Sequence, residues 1–155
     1  MYQLGNHSQA ELVGVHPNGV AVCEDAIEIT AQDFTVFDGL RTDAEQIEYV
    51  RTGVSKTLKS KHLKQPDGYG HAVDLVPYIN GKLRWEFRPC LIVAEAVHEA
   101  AEKLGVEIRW GAVWDTPLLE LDRHDLESEV ERYRERRRLR GKSAFIDTPH
   151  FELIL

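Results

Sequence analysis

In Ala72-Val73-Asp74-Leu75-Val76, the two-residue period of a β-strand sends Val73 and Leu75 to one face and Asp74 to the other. The C-terminal run His150-Phe151-Glu152-Leu153-Ile154-Leu155 repeats the pattern, with Phe151, Leu153 and Leu155 on one side and His150 and Glu152 on the other. Each strand buries an apolar row and offers a potential metal ligand on its opposite face. As neighbours in one sheet they bring Asp74 and His150 to a single cleft. His62, in a polar loop shortly before the first strand, is within reach of the same place.

Helical signals dominate the rest of the chain. A first helix is expected from Ser8 to about Val13. A second starts near Pro17 and carries Val20, Cys23 and Ile27 on one stripe. Phe34-Thr35-Val36-Phe37 is a short strand. Thr42 with Glu45 forms a capping box, continued by Ile47, Val50 and Val54 at helical spacing. Ser55 to Gly70 is polar and rich in turn formers, hence a loop. Phe87, Leu91, Ala94, Val97, Ala101 and Leu104 mark the strongest helix, from about Glu86 to Leu104, stopped by Gly105. Val106, Ile108 and Trp110 alternate as a strand. Asp122 to about Arg140 is a charged helix, acidic first and basic last, with a thin stripe (Leu126, Val130, Tyr133) that places it on the surface. Helices and strands do not alternate as βαβ units. The expected class is α+β, a small antiparallel sheet packed against helices, as one domain over residues 1–155.

Composition narrows the function classes. The apolar share of 43% and charged share of 29% are those of a globular protein. No run approaches the roughly 18 apolar residues of a spanning helix, and Met1 to Leu12 lacks the pattern of a signal peptide. A net charge of -7 argues against nucleic-acid binding. Cys23 and Cys90 fall in helical, apolar segments and are read as reduced core thiols.

Two histidines and one carboxylate suit zinc with an open fourth position, which distinguishes a catalytic site from a closed structural one. A peptidase also needs a base to take the proton of water and pass it to the leaving amine. Asp147, three residues before His150 across Thr148-Pro149, is placed for that role.

Ser60-Lys61-His62, then Gly70-His71-Ala72-Val73-Asp74-Leu75, then Asp147-Thr148-Pro149-His150, resembles the S-x-H…G-x-A-x-D…[DE]-x-x-H signature of a zinc peptidase family. That family holds D-Ala-D-Ala carboxypeptidases and dipeptidases and the L-alanyl-D-glutamate endopeptidases of phage endolysins. Gly39-Leu40-Arg41-Thr42, the run from Asp74 to Lys82 with Trp85 after it, and Arg109-Trp110-Gly111 with Trp114 look like the endolysin branch. The resemblance implies zinc on His62, Asp74 and His150, with Asp147 as acid/base. It implies Arg41 facing the substrate carbonyl, where a cation stabilises a developing oxyanion, and Ser60 holding substrate. It further implies a monomeric endolysin that acts on peptidoglycan, accumulates in the host cytoplasm and needs a holin for release. Rival readings are the same chemistry on the D-Ala-D-Ala bond and a non-catalytic zinc-binding module. Asp147 speaks against the second.

Two departures from the family pattern stand out. Asp74 follows His62 by twelve residues rather than the usual seven, an extension at residues 64–69, and the 116–143 segment is longer and more charged than expected. His71 is a minor competitor of His62 for the metal. His98 reads as packed, and His7, His16 and His124 as solvated. Glu152 either orients a ligand or pairs with a cation; Trp110 and Trp114 either line a groove or fill the core.

Overall fold

Strand β2 (Ala72–Ile79) lies at the centre of the sheet. The structure, a computed structural model, describes residues 1–155. β2 pairs antiparallel with β1 (Phe34–Asp38) on one side and β5 (His150–Leu153) on the other, and β5 pairs with β4 (Ile108–Trp110). The order is β1-β2-β5-β4, with the short β3 (Lys82–Leu83) paired to the end of β2. Opposed residues of an antiparallel pair share a face. The Val73↔Phe151 and Trp110↔Phe151 registers therefore build one apolar face, on which the Trp110 and Phe151 rings stack with centroids 6.5 Å apart.

That face is covered by α2 (Pro17–Ile29) and α4 (Phe87–Leu104), which also pack on each other. Val22, Cys23, Ala26 and Ile27 come from the first, and Val93, Ala94, Val97 and Ala101 from the second. Pro17 occupies the first turn of α2, as expected, and the His16 ring accepts the Asn18 N–H at 3.0 Å. Gly105 ends α4 in the left-handed conformation (φ 68). Both cysteines are free and buried, and desolvation pushes the Cys23 thiol up to about 12. No helix is long and apolar enough to cross a membrane.

The α+β class and the small antiparallel sheet match the sequence reading; several element details differ. α1 spans Asn6–Glu11 rather than starting at Ser8. The Thr42–Glu45 capping box forms with both bonds at 3.1 Å, but α3 (Asp43–Arg51) stops short of Val54. Its buried residue is Gln46, while Ile47 faces solvent. Val106 lies just outside β4. Asn80-Gly81, with φ of 51 and 77, turns β2 into β3, a hairpin signal the sequence reading passed over.

The expected single helix from Asp122 is a 3-10 turn (Arg123–Asp125) followed by α5 (Leu126–Leu139), where the Asp125 carboxylate accepts the Ser128 N–H at 3.4 Å. Its polar side carries the Glu129–Arg132, Glu131–Arg134 and Glu135–Arg138 pairs, each three residues apart. Its stripe, however, is buried: Val130 is fully covered, and Leu126 and Tyr133 join the core together with Leu118. The helix itself lies on the surface, as expected, with this stripe turned into the core.

Leu118→Ala is expected to cost about 2–5 kcal/mol in urea unfolding, whereas exposed Leu139→Ala is expected to stay within about 0.5 kcal/mol. Equal, small effects would show that the segment does not unfold with the core.

Candidate metal centre and active site

The Asp74↔His150 register sets the two side chains beside each other on the face opposite the core. The His150 Nδ1 lies 3.1 Å from Asp74 Oδ1. His62 arrives from the 55–70 loop, and its Nε2 is 3.3 Å from both atoms. These three form a group of potential metal ligands. Their separations match the roughly 3.3 Å edge of a tetrahedron with metal–ligand bonds of about 2.0 Å. These three residues supply three corners of such a tetrahedron. His71, the competing ligand, is elsewhere: its Nε2 pairs with Asp67 at 2.7 Å.

Each imidazole is oriented by its second nitrogen. The His62 Nδ1–H donates to the Gly39 carbonyl at 2.9 Å, which leaves Nε2 as the ligand atom. The His150 Nε2–H donates to Glu152 at 2.9 Å, which leaves Nδ1. Glu152 thus takes both roles the sequence left open, since Arg109 also lies 3.7 Å from it. The His62 loop is fixed by main-chain bonds, Arg41 N–H to His62 O at 2.9 Å and His71 N–H to Lys61 O at 2.8 Å.

Opposite charges override burial in this cluster. Desolvation raises Asp74, but the His62 and His150 imidazoles outweigh it and hold the carboxyl well below the usual range. Desolvation likewise opposes a charged His150, yet the carboxylates on its two nitrogens push it up to about 10. Burial, reinforced by nearby Asp74, raises Asp147 against the pull of His150, His62 and Arg41.

The structure sets Asp147 beside this group, half-buried at the start of a tight turn in which the His150 N–H donates to the Asp147 carbonyl at 3.1 Å. Gly111 on the neighbouring strand end bonds both ends of that turn at 2.8 Å, and a Cβ there would overlap the Asp147 carbonyl oxygen. Arg41 is buried, with Nε and Nη2 on Asp38, Nη1 on Gln46 at 2.6 Å and Tyr49 beneath its plane. Its Nη2 is 3.8 Å from Asp74 Oδ2. The Ser60 hydroxyl oxygen accepts the His62 N–H at 3.1 Å.

The sequence profile of the phage L-alanyl-D-glutamate peptidases matches residues 1–154. This chain belongs to that family. It is 34% identical over 118 residues to the L-alanyl-D-glutamate peptidase of Escherichia phage T5, a match covering 74% of this chain and 82% of the relative. The crystal structure of the Serratia marcescens L-Ala D-Glu endopeptidase ChiX superposes with a TM-score of 0.66 at 33% identity, over 96% of this chain and 87% of the other.

In this member of the family, sequence reasoning missed Asp38, Gly39 and Gln46, which hold Arg41 and His62. Asp38 and Gln46 lie only three and five residues from Arg41 but carry no periodic or motif signal, and Gly39, quoted as part of the Gly39-Leu40-Arg41-Thr42 run, gave no sign of its bond to His62. The tryptophans divide. Trp110 is core, and half-buried Trp114 packs beside His150 with ring centroids 5.4 Å apart. His98 is packed as expected, bonding the Leu121 carbonyl, whereas His16 is not solvated but packs against Tyr69 and His71.

A divalent metal ion on His150 Nδ1 displaces a proton that Asp74 and Glu152 retain up to about pH 10. The metal-free protein therefore binds more protons, and metal affinity rises with pH. Calorimetry in buffers of different ionisation heat is expected to show about one proton released and affinity rising roughly tenfold per pH unit between about pH 6 and 8; a flat profile would contradict this. Glu152→Ala is expected to weaken metal binding by about 10–100-fold, measured by competition with a chromogenic chelator.

Proposed function

We propose that the chain is a zinc-dependent endopeptidase that hydrolyses the L-Ala–D-Glu bond of peptidoglycan stem peptides, as a phage or prophage endolysin. The observation that carries this is the His62 Nε2, Asp74 Oδ1, His150 Nδ1 triangle, 3.1–3.3 Å on its edges, beside Asp147 in a member of this peptidase family. Two imidazoles and one carboxylate are the donor set of catalytic zinc. When bound, zinc supplies Lewis acidity and lowers the pKa of a water to about 7.

The chain's own residues account for the proton and charge traffic. Asp147 takes the proton of the attacking water and returns it to the leaving nitrogen of D-Glu. Its raised pKa brings it closer to neutrality, which suits a group that must both accept and donate. Arg41 commits three of its five N–H donors to Asp38 and Gln46. The other two remain for the oxygen of the scissile carbonyl, where a fixed cation stabilises developing negative charge. The hydroxyl of Ser60 accepts from His62 and keeps its own proton to donate to substrate.

An endolysin of this type works as a monomer, collects in the host cytoplasm and passes to the wall with the help of a holin.

The test is mass spectrometry of purified peptidoglycan digested by the zinc-loaded protein. New fragments beginning with D-Glu are expected. Asp147→Ala is expected to lose at least about 100-fold in turnover while retaining zinc. Release of terminal D-Ala instead would move the protein to carboxypeptidase chemistry, and no cleavage with zinc bound would overturn the enzyme reading.

A further inference from the structure

One surface feature next to the metal centre is unexplained by the chemistry above. Residues 49–66 contain no Asp or Glu but hold Lys56, Lys59, Lys61 and Lys64, four of the chain's seven lysines, in a protein of net charge -7. The chain's only lysine ion pair is Lys103 with Asp25, far from this loop in sequence. The arginines of α5, by contrast, are largely matched by neighbouring carboxylates. Unmatched cations beside a catalytic cleft create a field for an anion the protein itself does not supply.

Lys56 is the member of this group that the structure places most specifically. Buried Gln46 donates through its Nε2 to the Ser55 hydroxyl at 2.9 Å and to the Thr57 carbonyl at 2.6 Å, holding the residues on both sides of Lys56. The other end of that amide accepts from Arg41, so the position of Lys56 is tied to the arginine beside Asp74. The Lys56 side chain then reaches the segment before Asp147, with Nζ 4.9 Å from the centre of the Phe145 ring. Phe145 stacks on Trp114 with centroids 6.1 Å apart, and Trp114 packs beside His150. A chain of direct contacts therefore leads from the ammonium to a metal ligand. The aromatic face holds the cation in place without neutralising it.

We infer that Lys56 binds a free carboxylate of the stem peptide and is a specificity-determining residue for the substrate. The inference rests on the endopeptidase reading. D-Glu is linked through its γ-carboxyl and keeps a free α-carboxylate next to the scissile nitrogen, and diaminopimelate, the next residue of many stems, carries carboxylates as well. Either source presents the same chemistry to the ammonium.

The test uses soluble muramoyl-L-Ala-γ-D-Glu-diaminopimelate in three forms: unmodified, amidated at the D-Glu α-carboxyl, and amidated at diaminopimelate. The zinc-loaded wild type, Lys56→Gln and Lys56→Arg are compared by kcat/KM. The wild type is expected to prefer the free acid over one amide by roughly two- to fivefold, as befits an exposed ion pair. That preference is expected to fall as ionic strength rises. Lys56→Gln should reduce the ratio to near one, with the loss appearing in KM for the free acid, and Lys56→Arg should restore most of it. The amide that loses selectivity identifies the carboxylate. An active wild type whose ratios are unchanged in Lys56→Gln would overturn this inference alone. A wild type that cleaves none of the three overturns the endopeptidase reading and this inference with it.

Discussion

The antiparallel pairing of β2 with β5 is the constraint on which the rest depends. Asp74 faces His150 in that register, while Val73 faces Phe151 one step away on the core side. A slip of one residue would turn His150 into the apolar layer and expose Phe151, so the packing of the core forbids it. The metal group inherits this precision. Two of its three candidate ligand atoms are positioned by the same ladder that buries Trp110, Phe151 and Leu75. Stability and chemistry share one set of backbone hydrogen bonds.

A second, polar scaffold lies under the first. Arg41 is buried, and a buried cation persists only when its donors are met. Asp38 on β1, Gln46 on α3 and Asp74 on β2 surround it, and the same Gln46 ties down the segment 55–57. This explains why α3 turns a glutamine rather than an isoleucine inward. The helix packs against a charge that needs partners, not against hydrocarbon. The depressed Asp74 and raised His150 arise from the same economy, in which burial penalises charge and a near neighbour of opposite sign reverses the outcome.

Legibility from sequence followed the physics of each element. Half-buried strands write their orientation into alternation, so the faces of Asp74, His150, Phe151 and Leu153 were readable, and the helices around Val22 and Val97 declared themselves by spacing. His62 sits in a loop without period. Its nearness in sequence to the first strand and its resemblance to a family motif pointed to it, and its place depends on main-chain bonds to Arg41 and His71. The α3 capping box announced a helix but said nothing of which side it buries. α5 was expected on the surface because its stripe is narrow, and it lies there, half of its residues exposed while Leu126, Val130 and Tyr133 join the core. The roles of Gly39 and Gln46 were not legible, because a glycine carbonyl and a lone glutamine give no sign of which side chain they hold.

The extra residues between His62 and Asp74 form a small hairpin of their own. Gln65 bonds Tyr69 at 2.8 Å, Lys64 bridges Gly70, and Gly70 is held by Gly14 and His16. Both ends are thus clamped before the added length begins. Doubling the length of such a loop costs only about 0.6 kcal/mol in closure entropy. The hairpin is therefore a place where evolution can lengthen, shorten or redecorate the rim of the cleft without disturbing the three donor atoms. Spacing between His62 and Asp74 in the chain is thereby uncoupled from the triangle that the two residues build with His150.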